Sequence, residues 1–267
     1  MLQYQKNELL LRATDISLKY DDKQILQNVN FEIHDITRPN VTQGQVVSLI
    51  GRSGIGKTQL FKIIAGLITP TTGNIKIGKD QHDVVAGEVG VIPQNYILFN
   101  HRSIYTNLKI GLDNSDKKHS DSEAKSIIED YASKFDLSDH LKKFPAQLSG
   151  GQRQRVSIIQ QVLTGNKFIL LDEPFSGLDP IMIDKINTLL LKISTLNEEN
   201  TLIIVSHDIE NTLALSDTAF ILAQKPGVQG ATITEVLDLI SLDFCWNPDI
   251  KSNHAFQEFV NNVKHKI

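Results

Sequence analysis

The chain has 267 residues, of which 40% are hydrophobic and 22% are charged, as is ordinary for a globular protein with a well-buried core. Its formal net charge of -4 excludes an overall basic surface, so we expect no nucleic-acid partner. The single Cys245 excludes an intramolecular disulfide, and no apolar run approaches the roughly 18 to 20 residues that span a bilayer.

Two segments of alternating polar and apolar residues, 8–20 and 24–33, open the chain around the turn-forming pair Asp21-Asp22. They predict an antiparallel sheet. The segment that follows, residues 34–42, is expected to form a surface loop, because strand patterns continue on both sides of it.

A buried strand is predicted over residues 45–50 and a helix over residues 57–67. Between them, Gly51-Arg52-Ser53-Gly54-Ile55-Gly56-Lys57-Thr58 matches the phosphate-binding pattern G-x-x-x-x-G-K-[ST]. Glycines in such a loop let backbone N–H groups surround phosphate oxygens at a helix N-terminus. The pattern predicts that Lys57 reaches the β- and γ-phosphates and that the Thr58 hydroxyl binds Mg²⁺, with Gln59 completing the segment.

Further buried strands are predicted over residues 88–92, 167–171, 201–206 and 218–223. Most are followed by helical patterns, and this alternation favours a mainly parallel sheet. A turn over residues 225–227, a short strand and a terminal helix from His254 are predicted after the last of them.

Helices are predicted in two other regions. Residues 113–147 are polar and helical in pattern, with Ser120 and Glu123 spaced as a capping box, and this indicates a helical insertion. Asp179 and Pro180 are placed as the N-cap and first residue of a helix that ends near Leu196.

Two carboxylates, Asp172 and Glu173, end the apolar strand at residues 167–171. Acids at the carboxyl end of a strand can hold Mg²⁺ and activate a water molecule beside it. We assign Asp172 to the metal and Glu173 to the general base. Gln94 and His207 follow two other predicted strands, and each taken alone would more often be structural.

Leu148-Ser149-Gly150-Gly151-Gln152, ahead of a basic helix, resembles the signature motif of ATP-binding cassette (ABC) proteins. The phosphate loop, this signature, the pair Asp172-Glu173, residues 176–179 and His207 stand in the order of that family. The resemblance covers about residues 11–224. It implies an α/β fold: a P-loop NTPase core with a mainly parallel sheet, an N-terminal antiparallel β subdomain and an inserted α-helical subdomain.

The resemblance also implies a division of the chain into three parts that together form a single ABC ATPase domain. The ATP-binding core would comprise about residues 8–95 and 155–224. The helical and signature subdomain would comprise about residues 96–154, and a C-terminal extension would follow over about residues 225–267.

The family forms head-to-tail dimers in which the signature of one chain caps the γ-phosphate held by the other. The resemblance therefore implies that Ser149 and Gly151 act in trans, although Ser149 and Gln152 also fit a helix-capping box. It implies that Gln94 contacts Mg²⁺ and the attacking water. It further implies that His207 contacts the γ-phosphate and that Tyr20 stacks on adenine.

By this resemblance the chain is an ATPase that binds ATP and Mg²⁺ and powers a membrane transporter. Expected partners are a second copy of the chain, transmembrane permease subunits that dock near residues 98–104, and a solute-binding protein. The protein would then be cytoplasmic and peripheral at the inner face of the membrane.

The turn Lys225-Pro226-Gly227 and the later Asp238-Leu239 resemble the nitrate, sulfonate and taurine importer group. Alternatives are an ABC exporter, a lipoprotein or lipid transport ATPase, and a non-transport ABC ATPase of DNA repair or translation. The last is disfavoured because the chain has neither long insertions nor a second cassette. A regulatory module without turnover is disfavoured because Lys57, Asp172, Glu173 and His207 are all present.

Overall fold

A ten-stranded sheet runs through the part of the chain that the computed structural model describes, namely residues 4–38, 44–196, 200–245, 247 and 249–267. The strands are β1 (Gln5–Tyr20), β2 (Lys23–Thr37), β3 (Gln45–Ile50), β4 (Thr72–Ile77), β5 (His82–Asp83), β6 (Val89–Ile92), β7 (Phe168–Asp172), β8 (Thr201–Ser206), β9 (Thr218–Gln224) and β10 (Ala231–Asp238). Their order across the sheet is β5-β4-β1-β2-β10-β9-β3-β8-β7-β6.

The α-helices cover the sheet and carry the loops between strands. They are α1 (Lys57–Ile64), α2 (Ile104–Asp113), α3 (Asp121–Lys134), α4 (Gly150–Leu163), α5 (Pro180–Ser194), α6 (Ile209–Leu213) and α7 (His254–Lys266). Short 3₁₀ turns lie at Ser138–His140, Pro145–Gln147 and Ile250–Ser252.

The sheet has a parallel half and an antiparallel half. Strands β9, β3, β8, β7 and β6 pair in parallel, whereas β2, β1, β4 and β5 pair antiparallel. β10 joins the halves, since it is antiparallel to β9 and touches β2 in parallel at Ala231 and Leu26. The predicted mainly parallel sheet with an N-terminal antiparallel part is therefore confirmed.

The burial of the central strands is explained by their composition. All six residues of β3 and all six of β8 are buried, as expected for β-branched and apolar strands covered on both faces. In parallel strands the carboxyl ends meet at one edge of the sheet, which is where ligands bind in open α/β folds. The loops that follow β3, β7 and β8 are thereby brought together.

The first hairpin matches its predicted turn but extends further. Asp21 has φ +50°, the left-handed conformation that a tight two-residue turn between Tyr20 and Lys23 requires. The second strand continues to Thr37, so the predicted surface loop at residues 34–42 is wrong for its first part. The rest of that loop prediction, residues 39–42, lies outside the described residues.

Arg38 directly follows this extended strand and lies in the interior and not at the surface. Its Nη1 lies 2.5 Å from Oδ1 of Asp217, and both side chains are almost completely buried. Its Nη2 donates to the carbonyl oxygen of Gly44. Asp217 in turn accepts a hydrogen bond from the N–H of Val46 in β3, so the ion pair ties the end of β2 to the central strands.

The helical region confirms one predicted cap and shows one missed helix. Ser120 and Glu123 form the predicted capping box at the start of α3. The residue pattern predicts helix in this region only from residue 113, but α2 already begins at Ile104, within the helical subdomain that the resemblance implies from about residue 96. The Ser103 side chain caps it by accepting from the N–H of Thr106. Ile104, Leu108 and Leu112 recur every four residues and are buried, which is the signal that the prediction overlooked.

The remaining helix predictions hold with small changes at the ends. Asp179 caps α5, accepting from the N–H of Met182 at 2.9 Å. α1 ends at Ile64 and not at residue 67, because Gly66 adopts φ +68° and reverses the chain. α7 starts at the predicted His254 and packs its Phe256 and Val260 into a separate apolar cluster beneath β9.

No helix within the described ranges has both the length and the apolar content needed to cross a bilayer. The division into core, helical subdomain and C-terminal extension remains a prediction. Its proposed boundary between residues 154 and 155 falls inside α4, which spans Gly150–Leu163 and contributes buried residues to the largest apolar cluster.

Candidate functional site

The phosphate loop connects β3 to α1 as predicted. Gly54 and Gly56 adopt φ +78° and +113°, which side chains with a Cβ rarely tolerate. Gly56 stands at the N-cap of α1, so the first N–H groups of the helix face the loop without a side-chain cap. Such amides, with the positive end of the helix dipole, form an anion-binding site.

The Lys57 side chain lies inside this loop. Its Nζ donates to the carbonyl oxygens of Gly51 and Arg52 at 2.9 and 3.0 Å, and it is almost fully buried. The same ammonium group is 3.5 Å from Oε1 of Glu173. A cation held within a ring of backbone amides is suited to the β- and γ-phosphates of a nucleotide.

Glu173 is fixed at the end of β7 by several contacts. Its backbone adopts φ +51°, and its N–H donates to the carbonyl oxygen of Val205 in β8. Its Oε2 accepts from the hydroxyl of Ser206 at 3.1 Å and from the N–H of His207 at 3.2 Å, and it lies 2.8 Å from Nδ1 of His207. Glu173 and His207 are 34 residues apart in sequence, and the pairing of β7 with β8 brings them together.

Asp172 is a partly buried carboxylate whose surroundings disfavour its negative charge. Burial raises its pKa, the charge of Glu173 raises it further, and Lys57, Lys62 and a hydrogen bond from Thr58 oppose the shift. Its Oδ1 is buried without a hydrogen-bond partner among the described residues. Since a buried unpaired carboxylate oxygen is costly, a bound cation would satisfy it.

The residues assigned to Mg²⁺ fit this requirement. The Thr58 hydroxyl contacts Asp172, and hydroxyl, carboxylate and amide oxygens are ligands that Mg²⁺ accepts. Gln94 donates its Nε2 to the Ser176 hydroxyl at 3.0 Å, so the bond uses the nitrogen and not the oxygen that would ligate a metal. The described residues contain no group of three or more His, Cys, Asp or Glu for a metal, so a metal here would depend on these mixed oxygen ligands.

One cavity of about 480 Å³ collects most of the predicted phosphate-binding and catalytic residues. It is lined by Ile25, Ser53, Gly54, Gly56, Lys57, Thr58, Gln59, Gln94, Glu173, Ser176 and His207. Arg52 does not line it with a side chain and contributes its carbonyl oxygen to Lys57.

A second cavity, of about 670 Å³, adjoins the first and shares Ile25 and Gly54 with it. It contains Tyr20 and Ile55, and the Tyr20 hydroxyl donates to Oε1 of Gln59 at 3.0 Å. Tyr20 is about half exposed, so its ring is accessible to a flat base. The two cavities together have the arrangement of a base site beside a phosphate site.

The signature forms the start of α4. Ser149 is the N-cap, its Oγ accepting from the N–H of Gln152 at 3.3 Å while its own N–H donates to Gln152 Oε1 at 2.9 Å. The predicted capping box is thus present. Because the Ser149 oxygen is used as an acceptor, its hydroxyl proton remains a donor for an anion. Gly150 is exposed with open space around it, whereas Gly151 packs against the Met182 side chain.

The signature does not meet the phosphate loop within one chain. Ser149 and Gly151 line a different cavity of about 730 Å³ between α4 and α5, with Arg155, Ile181 and Met182. This cavity shares no lining residue with the phosphate cavity. The separation is what the predicted action in trans requires.

The predicted docking surface for membrane subunits lies beyond Gln94. Ile97 and Phe99 are 74% and 45% exposed, whereas Leu98 and Ile104 are buried. Asn107 of α2 holds this loop through bonds to the N–H and carbonyl oxygen of Phe99. The assignment of this surface remains a prediction.

Sequence reasoning missed three polar contacts of the site. Ser206 bonds Glu173, Ser176 bonds Gln94, and His140 bonds Gln152. Ser206 directly precedes His207, and Ser176 is the first residue of the motif at residues 176–179, which is a usable signal. His140 lies twelve residues before Gln152, and no motif points to it.

Comparison with known proteins gives one family and several relatives. A family model described as ABC transporter matches residues 34–176. The chain is 36% identical over 198 residues to the bicarbonate transport ATP-binding protein CmpC of Synechococcus elongatus, covering 73% of this chain but only 29% of that protein. It is 33% identical over 244 residues to the sulfate/thiosulfate import ATP-binding protein CysA of Pseudomonas putida, covering 89% of this chain and 71% of that one.

Among solved structures, the chain resembles cbiO1 from Clostridium perfringens, part of the ABC transporter complex cbiONQ. The TM-score is 0.73 at 21% identity, and the match covers 97% of this chain and 100% of the other. At this identity the likeness concerns the fold alone.

Proposed function

The chain belongs to the ABC transporter family, and from this we propose that it is the ATP-binding and ATP-hydrolysing subunit of a membrane transporter. The observation that carries the proposal is the convergence of Lys57, Glu173 and His207 on one cavity, with Asp172 behind them. A protein that only bound nucleotide would not require a fixed carboxylate beside the phosphate site.

Each residue then has a chemical role. Tyr20 stacks on the adenine, while Lys57 and the loop amides bind the phosphates. Thr58, Asp172 and Gln94 would hold Mg²⁺, which when bound would supply positive charge to offset that of the phosphate oxygens. Glu173 accepts the proton of the attacking water, and His207 holds the Glu173 carboxylate and contacts the γ-phosphate.

The second half of each site comes from another copy of the chain. The Ser149 hydroxyl and the first amides of α4 offer a second set of anion donors, and they line a cavity that shares no lining residue with the phosphate cavity. We therefore infer a head-to-tail homodimer that closes around two ATP molecules and reopens after hydrolysis.

The transport role is proposed from the relatives. The two curated proteins reported above are named for bicarbonate transport and for sulfate/thiosulfate import. We propose an importer of small anions, with the nitrate, sulfonate and taurine group as its narrower form. Permease subunits at the inner face of the membrane and a solute-binding protein are the partners. No feature of the site favours the exporter, lipid-transport, DNA-repair or translation alternatives.

Isolation of the native complex tests this proposal. The chain, purified from membranes in mild detergent, is expected to carry an integral membrane protein and to hydrolyse ATP in the presence of Mg²⁺. Mass spectrometry would identify the associated chains. Recovery with ribosomes or DNA, and without a membrane protein, would contradict the transport role.

A further inference from the structure

The Gln152 side chain joins the signature to a second segment of the chain. Its Oε1 accepts from the N–H of Ser149 at 2.9 Å, and its Nε2 lies 2.6 Å from Nε2 of His140. Because the amide oxygen is engaged by Ser149, the amide nitrogen must face His140, and an amide nitrogen only donates. The His140 Nε2 is therefore the acceptor, which assigns the ring proton to Nδ1, an atom that is buried without a hydrogen-bond partner among the described residues.

The N–H of Ser149 excludes the reverse orientation of the Gln152 amide. If the Gln152 amide were flipped, its NH₂ group would face the N–H of Ser149, and two donors would meet. The geometry thus depends on an acceptor at His140 Nε2. The Gln152 amide is thus held at its oxygen by the Ser149 N–H and at its nitrogen by His140, which lies outside α4.

His140 is itself held by the backbone of its surroundings. It ends a 3₁₀ turn, and its carbonyl oxygen accepts from the N–H of Lys143. The carbonyl oxygens of Leu141 and Lys143 accept from the N–H groups of Tyr105 and Ile104 at 2.8 Å each. Residues 140–143 therefore join the first turn of α2, which follows the exposed Phe99 loop, to the first turn of α4.

We propose that His140 is a positioning residue for the signature: it fixes the Gln152 amide, which holds Ser149 in the capped conformation that presents its hydroxyl to an anion. This proposal rests on the proposed function, since it concerns the same signature. The preorganisation matters because a donor that must first reorient contributes less to binding of a phosphate. Loss of the His140 acceptor frees Gln152 to rotate and leaves the Ser149 N–H unpaired.

Two substitutions at His140 test the proposal. His140→Leu removes the acceptor and is expected to lower kcat for ATP hydrolysis about tenfold, corresponding to about 1.4 kcal/mol. Its Kd for ATP should stay within about twofold, because His140 is not part of the phosphate cavity. His140→Gln places an amide oxygen near the position of Nε2 and is expected to restore kcat to within about twofold of wild type.

His119→Leu is the matched control, since it removes a histidine two residues before α3 and should leave kcat unchanged. Amide hydrogen exchange at Ser149 gives a readout that does not need hydrolysis, and exchange should be faster in His140→Leu only. Equal kcat values and equal exchange rates of the Ser149 amide in all variants would overturn the proposal. A His140→Gln variant with a kcat as low as that of His140→Leu would overturn it as well. Absent hydrolysis in the wild type would instead contradict the proposed function, and the exchange result would still decide the role of His140.

Discussion

Glu173→Gln is expected to lower kcat for ATP hydrolysis by at least about 100-fold, the scale of a lost general base. The glutamine is the same size and can still accept from Ser206 and from the backbone of His207. It cannot take a proton from water, so the chemical step stops while nucleotide binding persists. ATP should then accumulate on a closed dimer.

Phosphate release measures the loss of hydrolysis, and sedimentation velocity with and without ATP measures the accumulation of the dimer. Glu210→Gln is a suitable control, because Glu210 lies in α6 and lines neither the base cavity nor the phosphate cavity. Hydrolysis at the wild-type rate in Glu173→Gln would remove Glu173 from the role of base. A variant that no longer bound ATP would show that its contact with Lys57 serves binding and not chemistry.

Arg38→Met is expected to reduce the free energy of unfolding by about 3–5 kcal/mol, the usual cost of breaking a buried ion pair from one side. Arg38 and Asp217 are 4% and 0% exposed, so the remaining carboxylate would stay desolvated without its cation. We expect the substitution also to disturb the phosphate loop, because Asp217 accepts a hydrogen bond from the N–H of Val46 in β3, the strand that leads to this loop.

Arg12→Met is the matched control for this prediction. Arg12 makes an ion pair of similar length with Glu32, but both side chains are about half exposed, and such a pair is worth at most about 1 kcal/mol. Urea unfolding of the two variants makes the comparison. Equal losses would contradict the account of the buried pair, whereas Asp217→Asn in the Arg38→Met background should recover part of the loss.

The local features of the fold could be predicted because each depends on neighbours in sequence. The six-residue runs of β3 and β8, the Ser120 cap and the phosphate loop are all readable from spacing and residue type. The sequence predicts a surface loop at Arg38 because its partner, Asp217, is 179 residues away. No pattern within residues 34–42 contains that information.

The site likewise has features that the sequence predicts and contacts that it does not. The order of motifs predicted which residues end which strands, and pairing of β7 with β8 then brings Glu173 to His207. The supporting contacts from Ser206 and His140 depend on side-chain orientation and on hydrogen-bond donors and acceptors across loops. These become visible only once the backbone positions are known.

We expect the signature of one chain to complete the phosphate site of another, and complementation of two inactive chains tests this arrangement. Lys57→Ala disables the phosphate loop but keeps the signature, and Ser149→Phe does the reverse. Each variant alone should lack hydrolysis. In a mixture, a heterodimer contains one intact site formed by the Lys57 of one chain and the Ser149 of the other.

If dimers assort at random, half are heterodimers with one of two sites intact, so an equal mixture should recover about a quarter of wild-type phosphate release. We expect recovery near that level, with phosphate release rising as the second variant is added until it saturates. A mixture that remained as inactive as either variant, although native mass spectrometry detected the heterodimer, would contradict action of the signature in trans.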